Sequence, residues 1–201
     1  MVLLEFVSSV GSLLVRKDCW KCPTQRVVSN AKPKWYNSLR IYLSTFLVVL
    51  IDQATKMWIK QNYLLWETRE IIGSFLRFSH VKNPGIAFGI PVGDLSMLVT
   101  ILSFVATLFI GYMHWQERHN HPLIVNGLGL ILGGAIGNLI DRSQIFFVES
   151  YGGVVDFIDV GITSFRWYTF NIADSAVTIG VILYLLHSLL LRKPELVEQI
   201  D

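Results

Sequence analysis

Charged residues are scarce in this chain. Only 16% of its 201 residues are Asp, Glu, Lys or Arg, whereas an average soluble domain has roughly 25%. So few charges argue against a soluble enzyme with a hydrated surface, and an apolar content of 52% argues against a disordered chain. The formal net charge of +2 is too small to indicate a nucleic-acid partner.

Cysteine and metal-ligand patterns are equally sparse. The only two cysteines, Cys19 and Cys22, exclude a disulfide-stabilised fold, and one C-x-x-C pair cannot complete a four-ligand zinc site. The five histidines show no H-x-x-x-H spacing and no matched carboxylate, so we expect neither a metal nor a cofactor. No Ser-His or Cys-His arrangement indicates a covalent nucleophile. The apolar segment at 1–15 lacks the charged start and cleavage site of a signal peptide.

Long apolar runs are what the chain has in abundance, with a mean hydropathy of +0.49. A bilayer core of about 30 Å is crossed by about 20 apolar residues in a helix, and only helices or closed barrels satisfy their backbone there. We therefore predict an all-α polytopic membrane protein with four transmembrane helices, at about 39–59, 95–115, 122–140 and 167–191. The last of these would place Asp174 roughly 10 Å below the outer end of its helix.

The basic residues predict the orientation of the chain. Seven Lys or Arg residues lie before or at the start of the first span, and Arg192 and Lys193 follow the fourth. The positive-inside rule then places both termini in the cytoplasm. On this interpretation 1–38 is a cytoplasmic extension, 39–193 is the membrane domain and 194–201 is a cytoplasmic tail.

The two outer loops, 61–94 and 141–166, carry β-branched and aromatic runs. We expect a short strand or hairpin at 75–88, with Asn83-Pro84-Gly85 as its turn, and a second strand at 151–165. Both would lie on the outer membrane surface as a small extracytoplasmic cradle.

Polar residues interrupt three spans at one depth, near the predicted outer face. An Asp at the centre of a span costs on the order of 3 kcal/mol, so such residues indicate a function. The group consists of Asp52 and Lys56 in the first span, Asn138, Asp141 and Arg142 in the third, Asn171 and Asp174 in the fourth, and Asp156 and Asp159 in the last outer loop.

Structural roles are open for most of this group. Charges four residues apart pair on one helix face, adjacent charges anchor a helix end at the interface, and asparagines hydrogen-bond between helices. These alternatives apply to Asp52 with Lys56, to Asp141 with Arg142, and to Asn138 with Asn171. A repeat of Gly129, Gly133 and Gly137 predicts a face on which another helix packs closely.

Asp156 and Asp174 are harder to explain structurally, because neither has an obvious cation nearby. Two adjacent carboxylates cannot both ionise cheaply, so they share a proton and titrate as a unit. That state suits amide hydrolysis, in which the ionised member activates water and the protonated member polarises the carbonyl. Spacing alone does not choose Asp156 over Asp159.

Five motifs in this sequence resemble those of lipoprotein signal peptidase, also called signal peptidase II, a four-span aspartyl membrane peptidase. They are IDQATK (51–56), VKNPGIAFG (81–89), GGAIGNLIDR (133–142), VVDFID (154–159) and FNIADS (170–175). The resemblance covers about 39–191. The link at 143–153 and the N-terminal extension are both longer than is usual in the family.

The resemblance implies a set of site residues. Asp156 and Asp174 would be the catalytic pair. Supporting or substrate-binding positions would be Asp52, Lys56, Asn83, Gly134, Asn138, Asp141, Arg142, Asn171 and Ala173.

The resemblance also implies a reaction. The family removes signal peptides from diacylglyceryl-modified bacterial prolipoproteins, cutting before the lipid-modified cysteine, and is inhibited by the cyclic peptide globomycin. This chain would then lie in the bacterial cytoplasmic (inner) membrane, with such precursors and membrane lipids as its partners, no nucleic acid and no obligate protein partner.

Two other functions compete with the peptidase hypothesis. A proton-coupled transporter could use the intramembrane aspartates, although such proteins usually have internal repeats and midplane sites, which this sequence lacks. A non-enzymatic assembly factor could use the polar cluster for helix association, and would tolerate asparagine at both aspartates.

Overall fold

The computed structural model describes residues 34–84, 95–147 and 153–191 of the chain. The chain divides into two units, Met1–Lys32 and Pro33–Asp201, and all the described residues belong to the second. Most of the predicted cytoplasmic extension, including Cys19 and Cys22, and the predicted tail at 194–201 lie outside the described residues.

Four long helices overlap the four predicted spans. They are α1 (Lys34–Asn62), α2 (Ser96–Gln116), α3 (Pro122–Ser143) and α4 (Ile172–Leu186). A 3-10 turn, Gln144–Phe146, extends α3, and a π-helical turn, His187–Leu191, extends α4.

Three helical segments of the described chain are long and apolar enough to cross a membrane. They are Ser96–Gln116, Pro122–Phe146 and Ile172–Leu190. Helix α1 is not among them, because Asp52, Gln53 and Lys56 lower its mean hydropathy. Three of the four predicted spans are therefore confirmed by length and composition.

Helix α4 begins later than predicted, after Asn171 instead of at Trp167. The side chain of Asn171 accepts a hydrogen bond from the backbone N–H of Asp174 at 2.9 Å, and the Asp174 carboxylate accepts one from the N–H of Asn171 at 3.2 Å. This reciprocal capping box starts the helix. Asp174 thus lies in the first turn, and the prediction that it lies about 10 Å inside a helix was wrong.

The sheet has more strands than predicted from the sequence, which indicated a short strand or hairpin at 75–88 and a second strand at 151–165. One antiparallel sheet contains β1 (Thr68–Ile72), β2 (Leu76–Asn83), β3 (Val154–Ile162) and β4 (Phe165–Arg166), in that order. The turn between β1 and β2 contains Gly73, whose φ of +48° suits glycine. Asn83 is the last residue of β2 and pairs with Val154. The rest of the predicted hairpin, from 85 to 88, lies outside the described residues.

The sheet packs on the C-terminal end of α1. Ile59 of α1 and Tyr63, the first residue after that helix, form a buried cluster with Val155 and Phe157 of β3. Because side chains alternate along a strand, Val155 and Phe157 face this cluster while Asp156 faces the other way. The apolar packing of β3 therefore fixes the direction in which Asp156 points.

Helix α3 lies between α1 and α4, and glycines allow both contacts. A Cβ atom on Gly133 would lie 2.8 Å from the Val48 Cβ of α1, and Thr45 of α1 donates a hydrogen bond to the Gly129 carbonyl at 2.9 Å. On the other side, a Cβ on Gly134 would collide with the Ala173 carbonyl oxygen of α4. The predicted packing role of the glycine repeat is confirmed.

Candidate active site

Asp156 and Asp174 line the same cleft, which has a volume of about 720 Å³. Asp156 comes from the middle of β3 and is 3% exposed, whereas Asp174 comes from the first turn of α4. Asp159 does not line this cleft. Asp159 lies three residues after Asp156 on β3, and its carboxylate instead pairs with Arg166 at 2.7 Å. The structure thus separates two aspartates that spacing alone could not.

Asn171 contacts both carboxylates. Its side-chain Nδ2 donates to Oδ1 of Asp156 at 2.7 Å, and its backbone N–H donates to Oδ2 of Asp174 at 3.2 Å. The residue is fully buried, and its Oδ1 is occupied by the helix cap, so the amide nitrogen must face Asp156. One residue therefore sets both the start of α4 and the relative position of the two acids.

Two further asparagines complete the hydrogen bonding of the pair. Asn83, at the end of β2, donates from Nδ2 to Oδ2 of Asp156 at 3.0 Å. Asn138 of α3 donates from Nδ2 to Oδ1 of Asp174 at 2.8 Å. The amides that bond to the two carboxylates are neutral and do not cancel the repulsion between two negative charges, whereas a shared proton does.

Three charged side chains form a buried cluster beside the pair, which we call the ion triad: Asp52, Lys56 and Asp141. The Lys56 ammonium lies 2.8 Å from Oδ2 of Asp52 and 2.8 Å from Oδ2 of Asp141, and all three side chains are at most 1% exposed. The predicted pairing of Asp52 with Lys56 is confirmed. Such a cluster is stable in an apolar interior only if each charge has close partners.

The remaining predicted residues occupy different places. Arg142 lines the cleft, whereas its neighbour Asp141 does not and pairs with Lys56. Gly134 and Ala173 do not line it and instead form the close contact between α3 and α4.

Burial raises the pKa of Asp156 to about 7, and the neighbouring Asp174 carboxylate adds to the effect. The amides of Asn83 and Asn171 and the charge of Lys56 act in the opposite direction. Asp156 is therefore largely protonated below neutral pH, as an acid that polarises a carbonyl must be.

Part of the cleft was missed by the sequence interpretation. Its wall includes Trp167, Tyr168, Thr169 and Phe170, which the predicted span had placed inside a helix. They form an extended segment because Trp167 donates a backbone hydrogen bond to Val160, and Phe170 exchanges bonds with Ile158. The Asn171 capping signal, N-x-x-D, could have located the helix start and exposed this error.

Comparison with known proteins identifies the family. The family model described as "Signal peptidase (SPase) II" matches residues 44–190. The chain belongs to the signal peptidase II family. The matched segment contains every residue of the site described above.

Individual relatives agree with the signal peptidase II assignment. A lipoprotein signal peptidase of Syntrophomonas wolfei is 40% identical over 157 residues, covering 78% of this chain and 97% of the relative. One of Desulforapulum autotrophicum is 33% identical over 162 residues, covering 79% and 96%. A solved structure described as a bacterial membrane enzyme superposes with a TM-score of 0.62 at 32% identity, covering 78% of this chain and 93% of that one.

The family assignment decides between the hypotheses drawn from the sequence. The chain is a peptidase of the aspartic type and a bacterial membrane protein, and its family removes signal peptides from prolipoproteins. The transporter hypothesis has no support among these relatives.

Proposed function

We propose that this chain removes signal peptides from lipid-modified prolipoproteins by cutting before the modified cysteine, with Asp156 and Asp174 as its catalytic pair. One observation carries the assignment of the pair. The two carboxylates line one cleft and are held by a single buried residue, Asn171, which bonds to both. A role in helix association alone would not need both acids to face a cleft.

The mechanism uses one proton shared by the pair. Asp174 lies at the N-terminus of α4, where the helix dipole favours a carboxylate, and we assign the resting proton to Asp156. Asp174 takes a proton from water, which attacks the scissile carbonyl carbon while Asp156 donates its proton to the carbonyl oxygen. The tetrahedral intermediate collapses as Asp174 gives its proton to the leaving amine and Asp156 recovers its own. No covalent enzyme intermediate forms.

The cleft suits a substrate that is part peptide and part lipid. Beside the polar pair, its wall includes the apolar side chains of Trp167, Val177 and Ile179. We propose that the acyl chains of the modified cysteine lie along this wall, and that the scissile bond then reaches the acids. The family's inhibitor globomycin is expected to bind in the same cleft.

We further propose that α1 also spans the membrane, in addition to α2, α3 and α4. Its charged residues Asp52 and Lys56 are buried against the other helices, while its outward side chains, such as Phe46 and Leu50, are apolar and more than half exposed. Helix α1 therefore presents an apolar surface to lipid despite its lower mean hydropathy.

The proposed orientation has both termini in the cytoplasm and the cleft near the outer face. The sheet that carries Asp156 lies at the C-terminal end of α1, so a helix that runs outward places the cleft outside. The extension at 1–38 and the tail at 194–201 would then be cytoplasmic. This orientation follows from the distribution of basic residues.

Cysteine labelling tests the orientation. In a background with Cys19 and Cys22 replaced by serine, we expect Ser164→Cys, in the turn between β3 and β4, to react with an impermeant reagent added outside intact cells. Asn120→Cys, in the loop between α2 and α3, should react only after the membrane is opened. Both positions are exposed. Labelling of both from the same side would contradict the proposed orientation.

Cleavage should decrease at alkaline pH. Since the pKa of Asp156 is raised to about 7, the pair loses its shared proton above neutrality, and kcat/KM should fall about tenfold per pH unit there. A profile of kcat/KM from pH 5 to 9 measures this limb. A rate that stays constant or rises to pH 9 would contradict the assignment.

Thermal stability gives an independent check on the same group. The folded-state pKa of Asp156 lies above its ordinary value, so its burial destabilises the fold progressively as pH rises towards 7. The melting temperature of Asp156→Asn should therefore depend less on pH between 5 and 8 than that of the wild type.

Complementation tests the proposed function in cells. In bacteria depleted of their own lipoprotein signal peptidase, expression of this chain should restore conversion of lipid-modified precursors to the shorter mature form. Accumulated precursor despite normal amounts of the membrane-inserted chain would contradict the proposal.

A further inference from the structure

We infer that Lys56 is a positioning residue for the catalytic pair. It fixes the side-chain amide of Asn138, and it fixes Asp52 and Asp141, which bind the backbone next to the catalytic aspartates. The inference rests on the proposed function of Asp156 and Asp174. Lys56 is 1% exposed and does not line the cleft, so it cannot act on the substrate directly.

The ammonium group of Lys56 has three donors and three close acceptors. Two are the carboxylates of Asp52 and Asp141, each at 2.8 Å. The third is Oδ1 of Asn138 at 3.0 Å. A lysine that served only to neutralise the two aspartates would not need the third bond, which leads towards the catalytic pair.

The third bond determines which way Asn138 faces. An ammonium group can only donate, so the atom of Asn138 next to Lys56 must be the amide oxygen. The amide nitrogen then faces Asp174, to which it donates at 2.8 Å. The same oxygen also accepts from Nδ2 of Asn171 at 3.2 Å. A flipped Asn138 amide would present an oxygen to the Asp174 carboxylate, with which it cannot form a hydrogen bond.

The other two bonds of Lys56 act on the backbone. Oδ1 of Asp52 accepts from the N–H of Ala173 at 2.9 Å, and Oδ2 of Asp141 accepts from the N–H of Val155 at 3.4 Å. These two N–H groups belong to the residues immediately before Asp174 and Asp156. The ion triad therefore holds the chain next to each catalytic acid, and Lys56 joins the two attachments.

The test compares Lys56→Met with Lys60→Met in the purified, full-length protein. Methionine keeps most of the length of lysine but has no donor and no charge. Lys60 is the matched control, because it lies one turn further along α1, 3.7 Å from Oδ1 of the same Asp141, and is 36% exposed. A second variant, Lys56→Met with Asp141→Asn, keeps the net charge of the ion triad at −1 and so avoids leaving two unpaired buried carboxylates.

For Lys56→Met we expect kcat on a lipid-modified precursor to fall at least about tenfold per folded molecule, with KM changed less than about twofold. The alkaline limb of kcat/KM should also move to higher pH, since the charge of Lys56 lowers the pKa of Asp156. The charged groups around Asp156 are Asp174, the Asp52, Lys56 and Asp141 of the ion triad, and Arg142 on the cleft wall. Lys60→Met should match the wild type in rate and pH profile.

A double-mutant cycle shows whether Lys56 acts through Asn138. In an Asn138→Ala background, which has no amide to orient, Lys56→Met should reduce kcat by a smaller factor than in the wild type. If the two substitutions reduce kcat fully independently, Lys56 does not act through Asn138, and the inference is contradicted.

Several results would overturn the inference. One is a folded Lys56→Met protein, or a folded charge-balanced variant, with the wild-type kcat and pH profile. Another is failure of both variants to fold, which would make Lys56 a folding residue only. These outcomes differ from failure of the proposed function, in which the wild type itself does not cleave or the variants at Asp156 and Asp174 still do.

Discussion

Asp156→Asn and Asp174→Asn are each expected to reduce cleavage of a lipid-modified precursor by more than about 1,000-fold. Asparagine keeps the size of each side chain but cannot hold the shared proton or accept one from water. Both variants should still fold, with some loss of stability, because the size of the side chain is kept but the new NH2 group faces an N–H donor that the carboxylate had accepted from. The measurement is the rate of product formation per amount of folded protein in detergent or liposomes.

Asp159→Asn is the matched control for this pair of variants. It makes the same chemical change, on the strand that also carries Asp156, but at a carboxylate that pairs with Arg166 outside the cleft. We expect its rate to stay within about threefold of the wild type, with a stability loss of up to about 1 kcal/mol from the weakened ion pair. Equal loss of activity in all three variants would show that a general loss of stability, and not the catalytic pair, controls the rate.

The second large effect is expected at Asn171, where two roles can be separated. Asn171→Ala removes the helix cap, at a cost of about 1 kcal/mol, and the amide that donates to Asp156 at 2.7 Å. Asn171→Ser keeps a capping oxygen for the N–H of Asp174 but still lacks the amide nitrogen. We expect both variants to lose about 100-fold or more in kcat, and only the alanine variant to lose stability as well.

Thermal unfolding and single-turnover rates of the two variants measure these roles together. If Asn171 matters only as a cap, the serine variant should recover both stability and activity. Recovery of activity by serine would therefore contradict the claim that the Asn171 amide positions the pair.

The sequence predicted the helices well because the length of an apolar run depends only on residues that are neighbours in the chain. Helices α2 and α3 begin within one residue of the predicted spans, since Pro122 and the run from Ser96 mark the change from loop to helix. The start of α4 was missed because hydropathy does not register a cap. Trp167 and Tyr168 are aromatic residues of the kind that is common at the ends of membrane spans, and the side-chain bonds of Asn171 separate them from the helix.

The site was predictable in composition but not in geometry. Polar residues at one depth in three spans indicated convergence, and the motifs chose Asp156 over Asp159. The sequence could not show that Asp52 and Asp141 hold the N–H groups of Ala173 and Val155, because these contacts join residues far apart in the chain. The sheet was also underpredicted, since β1 and β4 have few alternating apolar residues and depend on their pairing with β2 and β3.

One measurement tests the central claim most directly. Purified wild-type protein, without any other protein, is incubated with a diacylglyceryl-modified prolipoprotein and with the same precursor lacking the modification, each with and without globomycin. The account predicts cleavage of the modified precursor only, inhibition by globomycin, and a product whose mass places the lipid-modified cysteine at its new N-terminus. Absence of cleavage, or a cut at any other peptide bond, would contradict the account.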